Sequence, residues 1–315
     1  MGSSEAPGPE ASRLDFEKHL QLKETAPDVF TTIHTPWVFN ITNTMPGPLM
    51  MAQAASAAWK TVPDGFMLDS LQTHFMLAPN PAVPLVYKVQ RIGNGRRFAV
   101  RTVTIEQGDR VFVTITTSFV NNVPWSGRAM THATPMQIKR HGERSGWKIT
   151  LDDFEDMRTE RGPFMKFERL PLVHQDPPNP ATTIAPVVAQ IDPPMAAARG
   201  APAHVLAVVH ASDYHVMDCP LSIHGVPHGL WPIGDATKTA LPASLKIMTS
   251  LNHSIHFHTH DGFRADELLY IEVTSPWAKD GRAMINSKIF SRQGLLIATV
   301  IQEAFYVFKE AGAKL

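Results

Sequence analysis

The chain contains one cysteine, Cys219, among 315 residues. A single thiol cannot form an intramolecular disulfide, and it excludes a zinc site built from several cysteines. An excess of charge of one sign is also lacking, because 29 Lys and Arg residues balance 29 Asp and Glu residues. This balance argues against nucleic acid as a partner, since polyanion-binding proteins carry a basic surface.

Long apolar runs are missing as well. No run approaches the roughly 18 residues that suggest a membrane-spanning helix. The first twelve residues are small and polar and lack the apolar core of a signal peptide. We therefore predict no membrane span and a disordered N-terminus over residues 1–13. The single cysteine, in turn, fits a reducing compartment.

What the sequence does contain is one pattern written twice. Residues 14–125 hold an apolar helix, which Gly47 opens, and then several strand-like segments. Residues 204–310 restart the pattern with an apolar helix followed by strands. Charged and proline-rich residues 126–203 are predicted to connect the two copies, with at most one strand, and residues 311–315 to form a tail.

The two copies also align in sequence. The segment from Gly95 to Phe119 matches Gly281 to Phe305 without a gap, and Phe75 matches Phe257 at a slightly smaller offset. A long apolar helix before a curled antiparallel sheet is the hot-dog arrangement. We therefore predict an α+β double hot-dog fold, with one helix wrapped by each half of the sheet.

One strand of the second copy has an unusual density of polar side chains. Its alternation puts five of them on one face, namely Asn252, Ser254, His256, His258 and His260. That face either lines a polar cleft or is a solvated surface. The three imidazoles spread over about 13 Å along the strand, too far to meet at one ion, and we expect neither a metal nor a cofactor.

Several motifs carry a resemblance to a known family. They are Leu68-Asp69-Ser70-Leu71-Gln72-Thr73-His74-Phe75-Met76-Leu77, Ala211-Ser212-Asp213, Asn252-His253-Ser254-Ile255-His256-Phe257-His258, Ser275-Pro276-Trp277-Ala278, Gln293-Gly294 and Gln302-Glu303. Over roughly residues 35–125 and 200–308 the chain resembles the acyl-CoA thioesterase II family of double hot-dog enzymes.

The resemblance implies a catalytic trio of Asp, Ser or Thr, and Gln that polarises a water. Carried onto this chain, the trio becomes Asn252, Ser275 (or Thr274 if the strand register slips by one) and Gln302. A neutral carboxamide cannot usefully accept a proton from water. Either another base such as His256 serves, or hydrolysis is not the main reaction.

A second departure lies at the first helix, where the family usually has Gly-Gly-Gln and this chain has Gly47-Pro48-Leu49. Free N–H groups at a helix N-terminus can bind a carbonyl oxygen or an oxyanion. Pro48 removes one donor, and the Leu49 N–H remains. The residues we expect to contact substrate are Thr274, Gly47, Leu49, His74 and Asp213.

Three functions stay open at this point. The first is hydrolysis of an acyl thioester, most simply acyl-CoA. The second is a non-hydrolytic reaction, such as isomerisation, dehydration, addition or cyclisation of a polyketide-like substrate in natural-product biosynthesis. The third is acyl binding without catalysis. By analogy the protein is expected to form homo-oligomers, and the ending Ala313-Lys314-Leu315 suggests a peroxisomal address, with the cytoplasm as the alternative.

Overall fold

A computed structural model of the protein describes residues 13–38, 44–137, 160–176, 178–196, 200–228 and 244–309. The predicted N-terminal disorder and the C-terminal tail lie outside these residues, except for Arg13. Within the described ranges, no helix is both long enough and apolar enough to cross a bilayer.

The described residues form four α-helices and thirteen strands. The helices are α1 (Phe16–His19), α2 (Gly47–Trp59), α3 (Gly200–Ala211) and α4 (Asp218–Ile223), and a short 3-10 turn spans Pro180–Thr182. The strands of the first half are β1 (Leu22–Ala26), β2 (Val29–Thr32), β3 (Phe66–Phe75), β4 (Val86–Asn94), β5 (Phe98–Gln107) and β6 (Arg110–Asn121). The remaining strands are β7 (Glu160–Arg161), β8 (Met165–Arg169), β9 (Val187–Ile191), β10 (Leu245–Phe257), β11 (Leu269–Lys279), β12 (Arg282–Ser291) and β13 (Leu296–Phe308).

All thirteen strands belong to one sheet, in which every described pairing is antiparallel. The strand order is β1-β2-β4-β5-β6-β3-β10-β13-β12-β11-β9-β8-β7. The order β4-β5-β6-β3 is mirrored by β11-β12-β13-β10, and β3 pairs with β10 at the centre. The fold is therefore the predicted double hot dog, an α+β fold with two helix-and-sheet halves joined edge to edge.

The centre of the sheet has local twofold symmetry. Gln72 on β3 pairs with Ser254 on β10, an offset of 182 residues (254 − 72). Phe75 and Phe257 differ by the same 182 (257 − 75). Two residues that correspond in the repeat are thus also paired directly across the sheet, as a twofold axis between β3 and β10 requires.

The ungapped alignment of the two meanders was wrong in register. It matched Phe119 with Phe305, but Phe119 is fully buried and faces the helices, whereas Phe305 lies on the opposite face of its strand. Pairing to the central strands instead makes Thr117 the counterpart of Gln302, because Thr117 pairs with Leu71 and Gln302 with His253. The two connecting turns and their bulges differ, so no constant offset fits both strands of the hairpin.

Helix α2 is buried on nearly every side, as its composition predicts. Its alanines at positions 52, 54, 55, 57 and 58 have no exposed surface. Gln53 is the exception in polarity, and it is satisfied by the Tyr87 hydroxyl at 2.5 Å and by the His19 carbonyl at 2.6 Å. Small side chains allow α2 to pack closely against both α3 and the sheet, as a helix without a polar face requires.

Two predictions, one about the connector and one about the second helix, were wrong. The connector contains more than one strand, because β8 and β9 pair with each other and β9 extends the sheet at β11. Both strands are five residues long and are buried on both faces, so neither shows the alternation that marks a half-exposed strand in a sequence. The apolar helix predicted to open the second copy at residue 204 begins earlier, at Gly200, ends at Ala211, and is followed after a turn by α4.

Candidate active site

A β-bulge decides which side chains of β10 face the helices. Ser250 pairs with Ala304 and Asn252 pairs with Glu303, so Leu251 is an extra residue in the strand. Strict alternation would place Ser250 on the face of Asn252, whereas the bulge turns Ser250 to the inner face. The first half has a bulge at the corresponding Asp69, 182 residues earlier (251 − 69).

Asn252 lies on the outer face of the sheet. Its Nδ2 donates to Glu303 Oε2 at 3.0 Å across the neighbouring strand. Gln302 is fully buried and pairs with His253, whose ring is also fully buried on the inner face. The structure therefore does not bring Asn252 and Gln302 together, because adjacent residues of a strand point to opposite sides.

The hydroxyl residues of the expected trio are also apart from Gln302. Ser275 is buried, and its Oγ donates to the Met284 carbonyl at 2.9 Å. Thr274 Oγ lies 3.4 Å from the Asn286 carbonyl. Neither hydroxyl is hydrogen bonded to Gln302 in the described part of the chain, so the trio implied by the resemblance is not assembled.

His256, the predicted alternative base, and His74, a predicted substrate contact, also lie on the outer face, together with His258 and His260. His256 and His74 are exposed, and His74 pairs with Asn252. His258 Nε2 is 3.1 Å from Thr299 Oγ1, and His260 Nε2 is 2.7 Å from the Leu68 carbonyl. The polar face of β10 is therefore a solvated surface, the second of the two alternatives, and not the wall of a buried cleft.

A different set of three residues meets on the inner face. Gln302 Nε2 donates to Asp213 Oδ1 at 2.6 Å and to Ser250 Oγ at 2.7 Å. Ser250 Oγ lies 3.5 Å from Asp213 Oδ1. We refer to Asp213, Ser250 and Gln302 as the inner cluster. It contains a carboxylate, a hydroxyl and a carboxamide, which are the functional groups of the trio that the resemblance implied. Only Gln302 belongs to both sets, because the carboxylate and the hydroxyl come from residues other than the predicted ones.

Burial makes Asp213 a candidate base. The residue is only 8% exposed, and burial raises the pKa of its carboxyl to about 7, against hydrogen bonds from Gln302 and Ser250 that lower it. A carboxyl that titrates near neutral pH can take a proton from water and return it within one reaction cycle.

The inner cluster lies against the N-terminus of α2. A Cβ placed on Gly47 would be 3.5 Å from Asp213 Oδ2 and 3.2 Å from the Phe75 ring. No side chain caps this helix, and its first backbone i→i−4 hydrogen bond runs from the Met50 N–H to the Pro46 carbonyl. The Gly47 and Leu49 N–H groups therefore lack intrahelical partners, at the positive end of the helix dipole.

The described part of the first half has no equivalent cluster, because other residue types occupy the counterpart positions. Thr117 stands for Gln302, and Thr61 lies two residues beyond α2 as Asp213 lies two residues beyond α3. Arg101 is fully buried there and donates to Thr61 Oγ1 at 2.7 Å and to the Thr61 carbonyl at 2.8 Å. The repeat thus gives the described part of the chain one inner cluster, not two.

Sequence reasoning found part of the cluster. Gln302 and Asp213 were both predicted site residues, although Asp213 was expected to contact substrate and Asn252 to take the position of the base. Ser250 was missed, since a bulge leaves no signature in a run such as Thr249-Ser250-Leu251. The corresponding Asp69 in the first half does not reveal it either, because the bulged residues differ.

The fold and the inner cluster together define an enzyme of the double hot-dog class. Two family models match the chain: the acyl-CoA thioesterase N-terminal domain over residues 34–120 and the acyl-CoA thioesterase C-terminal domain over residues 151–306. Together they cover well over half of it. The chain belongs to the acyl-CoA thioesterase II family, and it is an enzyme of the thioester hydrolase kind.

Individual relatives are distant. Mouse acyl-coenzyme A thioesterase 8 is 25% identical over 283 residues, which covers 82% of this chain and 78% of the relative. The peroxisomal acyl-coenzyme A thioester hydrolase 1 of Saccharomyces cerevisiae is 30% identical over 100 residues, 32% of this chain and 29% of the relative. An acyl-CoA thioesterase II from Mycobacterium marinum has the same fold, with a TM-score of 0.67, 21% identity, and coverage of 95% of this chain and 99% of that one.

Proposed function

We propose that this enzyme hydrolyses acyl thioesters, with acyl-CoA as the substrate class, and that Asp213 is the general base. The observation that carries the proposal is the pair of short hydrogen bonds from Gln302 Nε2 to Asp213 Oδ1 and Ser250 Oγ. They hold a carboxylate whose pKa is about 7 beside an uncapped helix N-terminus. The acyl-CoA assignment is supported by the names of the relatives.

In the proposed reaction a water bound between Asp213 and Ser250 attacks the thioester carbonyl carbon. Asp213 accepts one proton from that water as the C–O bond forms. The carbonyl oxygen becomes an oxyanion, which the free N–H groups of Gly47 and Leu49 are placed to stabilise. The C–S bond then breaks, and the thiolate takes the proton from Asp213, so that a carboxylic acid and a thiol leave.

Gly47 fits this role because it carries no side chain. A Cβ at this position would meet the Phe75 ring at 3.2 Å and stand beside Asp213 Oδ2, where the substrate carbonyl approaches. Pro48 supplies no N–H, but its fixed φ suits the first turn of a helix. Leu49 then presents its N–H at the same end.

Hydrolysis is tested by following free thiol release from a panel of acyl-CoA thioesters of increasing chain length. Gln302→Ala should lower kcat/KM by roughly 10² or more, because the variant loses the donor that holds Asp213. Glu303→Gln is the matched control, since the neighbouring side chain lies on the outer face and should leave the rate within about twofold.

Other outcomes of the same panel distinguish the remaining functions. Conversion of a thioester without thiol release would favour the non-hydrolytic reaction in natural-product biosynthesis. Saturable binding with no product from any substrate would favour a silent acyl-binding protein. Equal rates for wild type and Gln302→Ala would contradict the inner cluster as the site.

We also propose peroxisomal delivery through Ala313-Lys314-Leu315, which lies outside the described residues. One supporting observation is that the Saccharomyces cerevisiae relative, which matches 32% of this chain, is named peroxisomal. Expression with a fluorescent protein at the N-terminus should give peroxisomal puncta, and deletion of the last three residues should disperse them. Diffuse fluorescence from the full chain would favour the cytoplasm.

A further inference from the structure

His253 is a buried imidazole beside the inner cluster that the proposed hydrolysis does not use. It pairs directly with Gln302 on β13 and is fully inaccessible to solvent. Directly paired residues of an antiparallel sheet have Cβ atoms about 5 Å apart on the same face. The imidazole and the Gln302 carboxamide are therefore side-by-side neighbours.

Each of these two side chains has one buried polar atom without a hydrogen-bond partner in the described part of the chain. They are His253 Nδ1 and Gln302 Oε1. The other atoms are occupied: His253 Nε2 lies 2.9 Å from Ser212 Oγ, and Gln302 Nε2 serves Asp213 and Ser250. Because buried polar atoms are rarely unpaired, a bond between the two remaining atoms is the arrangement that satisfies both.

The direction of that bond depends on the imidazole proton. Burial lowers the pKa of His253 to about 4, partly opposed by the neighbouring Gln302 carboxamide, so the ring is neutral and carries one proton near pH 7. With the proton on Nδ1, His253 donates to Gln302 Oε1. The Ser212 hydroxyl, which donates to the Val209 carbonyl at 2.8 Å in the structure, then turns its single proton to Nε2, 2.9 Å away.

With the proton on Nε2 the network reverses. Nδ1 and Gln302 Oε1 would then face each other as two acceptors, and the carboxamide would have to turn over. Its oxygen would point at Asp213, which favours the protonated carboxyl and disfavours the carboxylate. The ionised base and the Nδ1–H form of His253 therefore belong to the same arrangement.

We propose that His253 is a positioning residue, whose Nδ1–H holds the Gln302 carboxamide with its NH₂ group toward Asp213 and Ser250. The inference deepens the proposed hydrolysis and rests on it. His253 touches neither substrate nor water. It acts through Gln302, by fixing whether the NH₂ group or the oxygen of the carboxamide faces Asp213.

Two substitutions separate this role from simple core packing. Asparagine can place its Nδ2 near the position of the imidazole Nδ1, whereas glutamine can reach the position of Nε2. His253→Asn should keep the acidic midpoint of the kcat–pH profile near that of wild type. His253→Gln should move it upward by about one unit, which lowers kcat about fivefold at pH 7 if the wild-type midpoint is about 7.

A packing role predicts the reverse order, because glutamine retains the contact with Ser212 and asparagine loses it. A His253→Gln enzyme with the wild-type midpoint, beside a shifted His253→Asn enzyme, would overturn the proposal. Circular dichroism and thermal unfolding of both variants show whether each is folded before the profiles are compared.

A measurement independent of turnover decides the tautomer. In protein labelled with ¹⁵N-histidine, two-bond ¹⁵N–¹H correlation distinguishes protonated from unprotonated ring nitrogens, and the His253→Asn spectrum identifies which of the 15 histidines is His253. We expect the Nδ1–H form near pH 7. An Nε2–H form in an enzyme that hydrolyses through Asp213 would refute the positioning role and leave the proposed function intact. An Nδ1–H form in a protein without thioesterase activity would place the failure in the proposed function.

Discussion

Replacing Asp213 with asparagine should stabilise the protein at neutral pH and abolish its catalysis. Burial raises the pKa of this carboxyl from 3.8 to about 7. A group whose pKa is higher in the folded than in the unfolded chain contributes its full stability below the unfolded value, and that contribution is lost as pH rises through the folded value. The wild type should therefore lose stability between about pH 4 and pH 7, where Asp213 becomes charged in a buried position.

The magnitude follows from the size of the shift. Each pH unit between the two pKa values changes the free energy of unfolding by about 1.4 kcal/mol. Between pH 5 and pH 7 the carboxyl of Asp213 alone should cost the wild type about 2 kcal/mol, as an order of magnitude, with little further loss above pH 7. Asp213→Asn has the same shape and no titration, so its stability relative to wild type should rise by that amount.

Urea unfolding at several pH values between 5 and 8 measures this difference, with the same m-value required of both proteins. Asp266→Asn serves as the control. Burial acts to raise the pKa of Asp266, but hydrogen bonds from Arg264, at 2.7 and 2.9 Å, outweigh it and hold the pKa below 3.8. Its carboxyl should stay ionised throughout, so the control difference should stay flat. A flat difference for Asp213→Asn as well would refute the reasoning, because it would mean that this carboxyl is already ionised at pH 5.

Three further predictions test which residues around β10 and α2 belong to the reacting site. Ser250→Ala should lower kcat/KM about tenfold with the fold intact, measured by thiol release, and an unchanged rate would remove the hydroxyl from the mechanism. Asn252→Asp should give no gain in hydrolysis, since the new carboxylate lies on the outer face; a large gain would show that residue 252 reaches the reacting centre. Gly47→Ala should lower kcat because its Cβ meets the Phe75 ring at 3.2 Å, and Phe75→Leu should restore part of the loss in the double variant. Additive effects of the last two changes would contradict that contact.

The central pairing of the fold could be predicted from sequence because it depends on few residues. The match of Phe75 with Phe257 gives the offset that the pairing of Gln72 with Ser254 obeys. Apolar helices and alternating strands then give the two halves. The outer strands of the hairpins could not be placed the same way, since similar residues around Gly108 and Gly294 are separated by bulges that differ. A shift of one residue exchanges the two faces of a strand.

The site was harder to predict for the same reason. Alternation correctly grouped Asn252 and His256 on one face, but it does not tell which face meets the helices. The opposite face carries His253 and Ile255, which are both fully buried. Because one of these two residues is a histidine, the sequence does not mark that face as the apolar one. Ser250 joins the inner face through a bulge at Leu251. The bulge is a feature of the backbone that the local sequence does not predict.

The change from a carboxylate to Asn252 is therefore a poor guide to whether this enzyme has a base. A residue on the outer face cannot take a proton from a water bound beside Asp213 and Ser250 on the inner face, whatever its chemistry. A base has to come from an element that approaches Gln302 from the helix side, and the turn after α3 places the Asp213 carboxyl there, with Oδ1 2.6 Å from Gln302 Nε2. Its high pKa follows from that approach, because the turn is covered by α2 and the sheet together. The same burial that makes the carboxyl useful near pH 7 makes it costly to the fold, which is why stability and activity should respond to Asp213→Asn in opposite directions.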